Sequence, residues 1–177
     1  MNALVIGGTG MLKDVVLWLN NEKWCTAVVA RNKERMANLV SQAATPTKIE
    51  AILVDWNETE HLLKHVHWHA PFDLVIHWGA QASLQPLLNN LSAKQPGEWD
   101  FYHVKGSRAS RPESRNIPLI PENCRYHEVI LGFQFEGETT RWLTHKEISD
   151  GVIQALKNKT DKMIIGFVEP WEQRPAY

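Results

Sequence analysis

Across the first twenty residues the hydrophobic period changes from that of a strand to that of a helix, and a glycine cluster stands at the change. Asn2 to Ile6 (NALVI) is short, apolar and β-branched, as suits a strand covered on both faces. Gly7, Gly8, Thr9 and Gly10 follow, and then Met11, Leu12, Val15, Val16 and Leu19 recur on one helical face. Strand, glycine turn and helix in that order open a βαβ unit, which closes right-handed and sets the next strand parallel to the first.

The alternation continues. Strands are expected at Trp24 to Ala30, Lys48 to Val54, Phe72 to Trp78 and Trp99 to Val104, with helices at Asn32 to Gln42, Asn57 to Ala70 and Ala80 to Ala93, the last carrying Pro86 inside it. Gly106 to Asn123, with Pro112, Pro118 and Pro121, lacks a helical period and reads as a long proline-rich loop, a length usually reserved for a lid or a substrate loop. A sixth strand is expected at Tyr126 to Phe135, a turn at Gly137 to Arg141, a helix opened by the Thr144/Glu147 capping box, and a last strand at Lys162 to Val168. The fold class is α/β, a doubly wound parallel sheet of the Rossmann kind in one domain spanning residues 1–177.

Composition narrows the function. There are 19 Lys+Arg against 20 Asp+Glu, mixed along the chain, and no basic stripe of the kind nucleic acid attracts. No apolar run approaches the roughly 20 residues that cross a bilayer, so no membrane span is expected. Cys25 and Cys124, about a hundred residues apart in a chain without a leader pattern, point to a reducing cytoplasm rather than to a disulfide framework.

In doubly wound sheets ligands bind beyond the carboxyl ends of the strands, so residues there are the site candidates. Gly7, Gly8, Thr9, Gly10, Met11 and Leu12 form the turn whose amides could meet a pyrophosphate at a helix N-terminus, although Lys13 stands where a third glycine is usual. At the end of the second strand, where an acid would accept hydrogen bonds from an unphosphorylated ribose, the chain has Arg31, Asn32 and Arg35. Arginine forks onto a 2′-phosphate, and cations at a helix N-terminus oppose the macrodipole, so the choice is NADP(H) over NAD. Asp55 and Trp56 end the third strand, as adenine contacts or, for Asp55, as a helix cap. His77 and Gly79 end the fourth, with His77 also open to the reading of an interior histidine.

VIGGTGML, the ARNKER stretch, Asp55 and the small turn after the fourth strand together resemble the cofactor half of the short-chain dehydrogenases/reductases, in their atypical, shortened branch. The resemblance covers roughly residues 1 to 110 and implies a Rossmann fold, NADP(H) and hydride transfer. The family's serine matches Ser107 in VKGSRAS, but its Tyr-x-x-x-Lys occurs nowhere in this chain. Ser107 is therefore the first catalytic candidate, to hold or polarise the acceptor, with His103 and Lys105 as proton donors on the strand face opposite Tyr102.

The expected function is an NADP(H)-binding oxidoreductase that reduces a small carbonyl, quinone or flavin-like molecule; the alternative is a non-catalytic NADP(H)-binding sensor or regulatory protein. A homo-oligomer is compatible with either. His61, His65 and His69 recur at i, i+4, i+8 but read as the polar face of an amphipathic helix, and no metal site is expected. Arg108, Arg111 and Arg115 read as solvated loop charges that could meet an anion, and Trp142 and Trp171 as core or interface anchors.

Overall fold

The computed structural model describes residues 1–114 and 117–176. Each apolar run found above becomes a strand of one seven-stranded sheet: β1 (Asn2–Ile6), β2 (Cys25–Ala30), β3 (Ile49–Leu53), β4 (Leu74–His77), β5 (Trp99–Gly106) and β6 (Cys124–Leu131). The seventh member, β9 (Lys162–Ile165), follows a two-stranded antiparallel hairpin of β7 (Phe133–Glu136) and β8 (Thr139–Trp142). The order β3-β2-β1-β4-β5-β6-β9 is parallel throughout and reverses direction between β1 and β4, which is the doubly wound topology.

Because neighbouring residues of a strand point to opposite faces, β1 feeds two cores. Ala3 and Val5 pack with α1 (Lys13–Asn21), α2 (Lys33–Gln42) and α5 (His145–Asn158), through Val15, Leu19, Leu39 and Val152. Leu4 and Ile6 pack with α3 (Thr59–His69) and α4 (Gln81–Ser92), through Leu62, Val66, Leu84 and Leu88. Pro86 sits inside an unbroken α4.

The structure corrects the sequence reading in the second half. The apolar run Tyr126 to Phe135 is two strands, because at Gly132 the chain leaves β6 to pair Phe133 with Phe167 through two 2.8 Å backbone hydrogen bonds. A Cβ on Gly132 would lie 2.0 Å from Phe167 O, so only glycine permits that contact. The expected turn over Gly137 to Arg141 is mostly β8, and the last strand stops at Gly166, whose φ of +75° turns Phe167 back toward Phe133. The expected 106–123 loop is shorter at its start, since Gly106 still belongs to β5, and two single 3-10 turns follow at Ser107–Ser110 and Pro112–Ser114.

Among the described residues no α-helix fills the connection from β5 to β6. The stretch 117–123 instead runs along α4: Gln85 donates to Leu119 O at 3.0 Å and accepts from Leu119 N at 2.7 Å, while Ser92 and Asn123 exchange bonds of 2.7 and 3.2 Å. Arg115 lies outside the described residues. Among the described residues no helix is long and apolar enough to cross a membrane, and no group of three His, Cys, Asp or Glu could hold a metal ion.

Candidate functional site

The glycine turn sits at the switch point between β1 and β4, and its glycines do different work. Gly7 has φ +83°, and a Cβ there would lie 2.6 Å from the carbonyl oxygen of Trp78, so this residue lets the ends of β1 and β4 approach each other. Gly8 serves packing: a Cβ would come within 2.7 Å of Val28 and 3.0 Å of Val16. It thus provides a close contact between α1 and β2. A Cβ on Gly10 would meet nothing within 4 Å, so open space lies above that residue.

Lys13 N–H closes the turn onto Gly10 O at 3.0 Å, and α1 begins with no side-chain cap, which leaves its first-turn amides suited to an external anion. Ser149 of α5, itself buried, donates to Met11 O at 2.8 Å and fixes the far side of the turn. Thr9, Gly10 and Met11 also line a hollow of about 760 Å³ that reaches Arg35, His145 and Ser149. Leu12 is different from its neighbours: its side chain is wholly buried in the core, so only its backbone belongs to the turn.

At the ends of β2 and β3, Arg31 lies over the Trp56 ring, 4.9 Å from its centroid, and 3.4 Å from the Asp55 carboxylate. The Arg31 side chain is 56% exposed, and an ion pair that long and that wet holds the guanidinium only weakly. Asp55 is neither free nor a helix cap. It accepts from the Asn57 amide and side chain, both at 2.9 Å, in a turn that precedes α3, and that backbone hydrogen bond together with Arg31 keeps its carboxyl below the usual range. Asn32 is the cap of α2, accepting from Arg35 N at 2.8 Å. Arg31 and Arg35, placed one turn apart in the sequence, face different surroundings: Arg31 the Trp56 ring, Arg35 the hollow beside Gly10.

Beyond β4 and β5 lies a cleft of about 500 Å³, walled by Trp56, Trp78 and Gly79 on one side and His103, Lys105 and Ser107 on the other. All three catalytic candidates therefore reach one space. Strand alternation puts Phe101, His103 and Lys105 on one face while Tyr102 and Val104 pack into the opposite core, and Ser107 opens the 3-10 turn that follows β5. Ser107 is 3% exposed, and its hydroxyl has no hydrogen-bond partner among the described residues. Lys105 forms a buried ion pair with Glu128 of β6, so its charge is held at the floor of the cleft.

His77 lies beneath Gly79 rather than in the cleft. It is wholly buried, stacked on Phe101 at 5.9 Å, and neither ring nitrogen has a partner among the described residues. Burial lowers its pKa to about 4, so the ring is neutral. The interior-histidine reading holds for its side chain. Of the loop arginines, Arg108 lines the cleft, whereas Arg111 pairs with Glu113 and stacks 3.9 Å over Trp171. Arg174 covers the other face of Trp171 at 4.0 Å and reaches the Trp142 ring at 5.2 Å. On α3, His61 pairs with Glu58 at 2.8 Å and a ring nitrogen of His65 bonds to His61 O.

No family model and no curated protein matches this sequence. Solved structures do match in shape. A bulky-bulky ketone specific alcohol dehydrogenase from Comamonas testosteroni superposes with a TM-score of 0.74 over 97% of this chain and 88% of its own, at 15% identity. A short-chain dehydrogenase/reductase from Vibrio parahaemolyticus gives 0.69 over 93% and 98%, at 9% identity. The fold is that of the short-chain dehydrogenases/reductases. RhlG from Pseudomonas aeruginosa, solved as an NADP active-site complex, shares it at a TM-score of 0.64 and 13% identity, covering 92% of this chain and 93% of that one.

Against that fold the absence of Tyr-x-x-x-Lys takes structural form. Among the described residues the β5 to β6 connection holds 3-10 turns and a stretch bonded along α4, with no α-helix. A tyrosine and a lysine nevertheless meet. Tyr126 of β6 lies with its ring centroid 5.8 Å from Lys105 Nζ and its hydroxyl 2.7 Å from His103 Nδ1. The sequence reading passed over Tyr126 because Ile130 stands four residues on. The usable signal was its place on the strand next to β5, not its spacing along the chain.

Proposed function

We propose that the protein is an NADP(H)-dependent oxidoreductase that reduces a small carbonyl, quinone or flavin-like acceptor in the cleft between β4 and β5. The observation that carries this reading is that one edge of the sheet holds three things in sequence: an Arg31–Trp56 corner, a glycine turn with open space over Gly10, and a cleft ending at Ser107 and His103. That spacing suits an extended dinucleotide laid across the switch point. Arg31 and Trp56 would hold the 2′-phosphate and adenine end, the amides of Gly10 and the first turn of α1 the pyrophosphate, and Gly79 the ribose nearest the cleft. When bound, the cofactor supplies two electrons and one hydrogen to the acceptor.

The chain's own groups bind and orient. Ser107 offers a free hydroxyl to an acceptor oxygen, and the buried Lys105–Glu128 pair adds a fixed dipole below it. A second reading, an NADP(H)-binding sensor without turnover, is favoured by the lack of an α-helix among the described residues between β5 and β6. Arg31→Ala tests the cofactor assignment. A charge-assisted contact to phosphate is worth about 1.5 to 3 kcal/mol, so NADPH binding weakens about 10- to 100-fold while NADH binding hardly changes. Equal losses for both nucleotides would remove the phosphate contact. Oxidation of NADPH with a panel of carbonyls, quinones and flavins then separates enzyme from sensor.

A further inference from the structure

We infer that Tyr126 and His103 form a proton relay into the cleft, with Tyr126 fixing the imidazole tautomer that carries its proton on Nε2. The inference rests on the oxidoreductase reading and names the proton donor for it. His103 is the reacting group, and Tyr126 acts through it as a positioning residue.

The geometry comes from the sheet. The parallel register sets Phe101 beside Tyr126 and His103 beside Glu128, so the Tyr126 side chain reaches diagonally to His103, and its hydroxyl lies 2.7 Å from Nδ1. Phe101 stacks on the Tyr126 ring at 6.0 Å with an interplanar angle of 11°, which holds the phenol in place. On its other side His103 meets the edge of His77 at 5.3 Å, yet both His77 nitrogens lack a hydrogen-bond partner, so Nε2 of His103 is not taken up in the interior. His103 lines the cleft, and Nε2 is the nitrogen left for an acceptor there.

Hydrogen-bond counting selects the tautomer. A phenol has one proton to donate, and among the described residues Tyr126 has no hydrogen-bond partner but His103. If Nδ1–H donated to the phenol oxygen, the phenol proton would find no protein acceptor among the described residues. If the phenol donates to Nδ1, its proton is satisfied and the imidazole proton sits on Nε2, facing the cleft.

Among the described residues the charged and titratable groups facing the ring are His77 from β4, Lys105 from β5, and Tyr126 and Glu128 from β6. On this face α4 contributes Leu84 and Leu87. Burial first, then His77 and Lys105, push the His103 pKa down to about 2, so the neutral ring persists at physiological pH.

The transfer balances. With a reduced nicotinamide cofactor bound to supply the hydride, the oxygen of an acceptor carbonyl would take the Nε2 proton of His103: one N–H bond breaks and one O–H bond forms. Nδ1 would take the Tyr126 proton at the same time, and because burial first and then Glu128 hold the Tyr126 pKa above the usual phenol range, the phenolate so formed is transient. After product leaves, a solvent proton returns to Nε2 and Nδ1 gives its proton back to Tyr126, so each turnover consumes one proton from water.

Long-range ¹H–¹⁵N NMR of the full chain reads this directly, with the His103 signals assigned by their loss in His103→Gln. The expected result is a neutral His103 from pH 5 to 8 with the proton on Nε2. Tyr126→Phe keeps the ring stack and shifts the tautomer ratio about tenfold toward Nδ1–H, the scale of one hydrogen bond. With any acceptor that turns over, the same variant lowers kcat about tenfold and leaves KM unchanged. An Nδ1–H tautomer or an imidazolium in the unmodified chain overturns the relay, and so does a ratio that Tyr126→Phe does not move. The unmodified chain alone decides the tautomer should Tyr126→Phe fail to fold. A fluorescence titration with NADPH on the same samples separates the two levels: no binding overturns the oxidoreductase reading and the relay's use with it, while binding with the wrong tautomer overturns the relay alone.

Discussion

Replacing Gly7 by alanine should damage the fold, whereas the same change at Gly10 should damage only nucleotide binding. At Gly7 the backbone has φ +83°, a region that costs an L-residue about 1 to 2 kcal/mol, and the new methyl group would start 2.6 Å from Trp78 O. That oxygen cannot swing aside freely, because Trp78 N–H donates to Ile6 O at 3.1 Å and so ties the residue to the end of β1. Moving backbone to relieve such an overlap typically costs about 1 to 3 kcal/mol. The sum is about 2 to 5 kcal/mol, a large part of the stability of an ordinary domain. For a chain of this size it should appear as a drop in melting temperature of about 5 to 15 °C and as a lower urea midpoint at unchanged m-value. Gly10→Ala, with no atom within 4 Å of the new methyl, should stay within about 0.5 kcal/mol of the parent and yet lose NADPH affinity in a fluorescence titration. Equal stability of the two variants would refute the close-approach role of Gly7, and full NADPH affinity in Gly10→Ala would remove the open space above it as the pyrophosphate cradle.

Three further outcomes are expected. His77 is neutral in the fold with a pKa near 4, while in the unfolded chain it takes a proton near pH 6.5, so the unfolded state binds protons first and stability falls as pH drops from about 6.5 to 4. The His77 share is about 3 kcal/mol, and urea melts at pH 7 and 5 should show a flatter loss in His77→Leu; an unchanged slope would contradict the buried neutral ring. Ser149→Ala removes a buried hydroxyl from Met11 O and should cost about 1 to 2 kcal/mol by urea denaturation, together with weaker NADPH binding because the turn loses its far support. Thr144→Ala opens the capping box of α5, in which Thr144 and Glu147 satisfy each other's amides, and should cost about 0.5 to 2 kcal/mol without affecting NADPH binding.

The first half of the fold was legible because its strands and helices alternate with local punctuation: Gly7 and Gly8 after β1, Pro71 before β4, Gly79 before α4. The second half depends on partners far along the chain. Nothing near Gly132 marks a break in YHEVILGFQF, since the break exists only because Phe167 comes back to pair with Phe133. Leu12 and His77 were placed at the right positions along the chain, but spacing does not say which way a side chain points, and both point inward. Arg31, Trp56 and Ser107 were legible because strand ends in a parallel sheet collect at one edge. Tyr126 and Glu128 were not, because their meeting with His103 and Lys105 depends on the β5–β6 register.

A helix between β5 and β6 would carry its own ladder of backbone hydrogen bonds and would detach only by melting. The described residues that stand there, 107–114 and 117–123, are fastened from outside, by Gln85, Ser92 and Asn123 at one end and by the Arg111–Trp171 stack at the other. Such a fastening releases locally, at a smaller free energy than global unfolding, while every strand of the sheet stays paired. Amides of 107–114 and 117–123 should therefore exchange with solvent by local opening, while those of β5 and β6 exchange only with global unfolding, a contrast that hydrogen exchange measures.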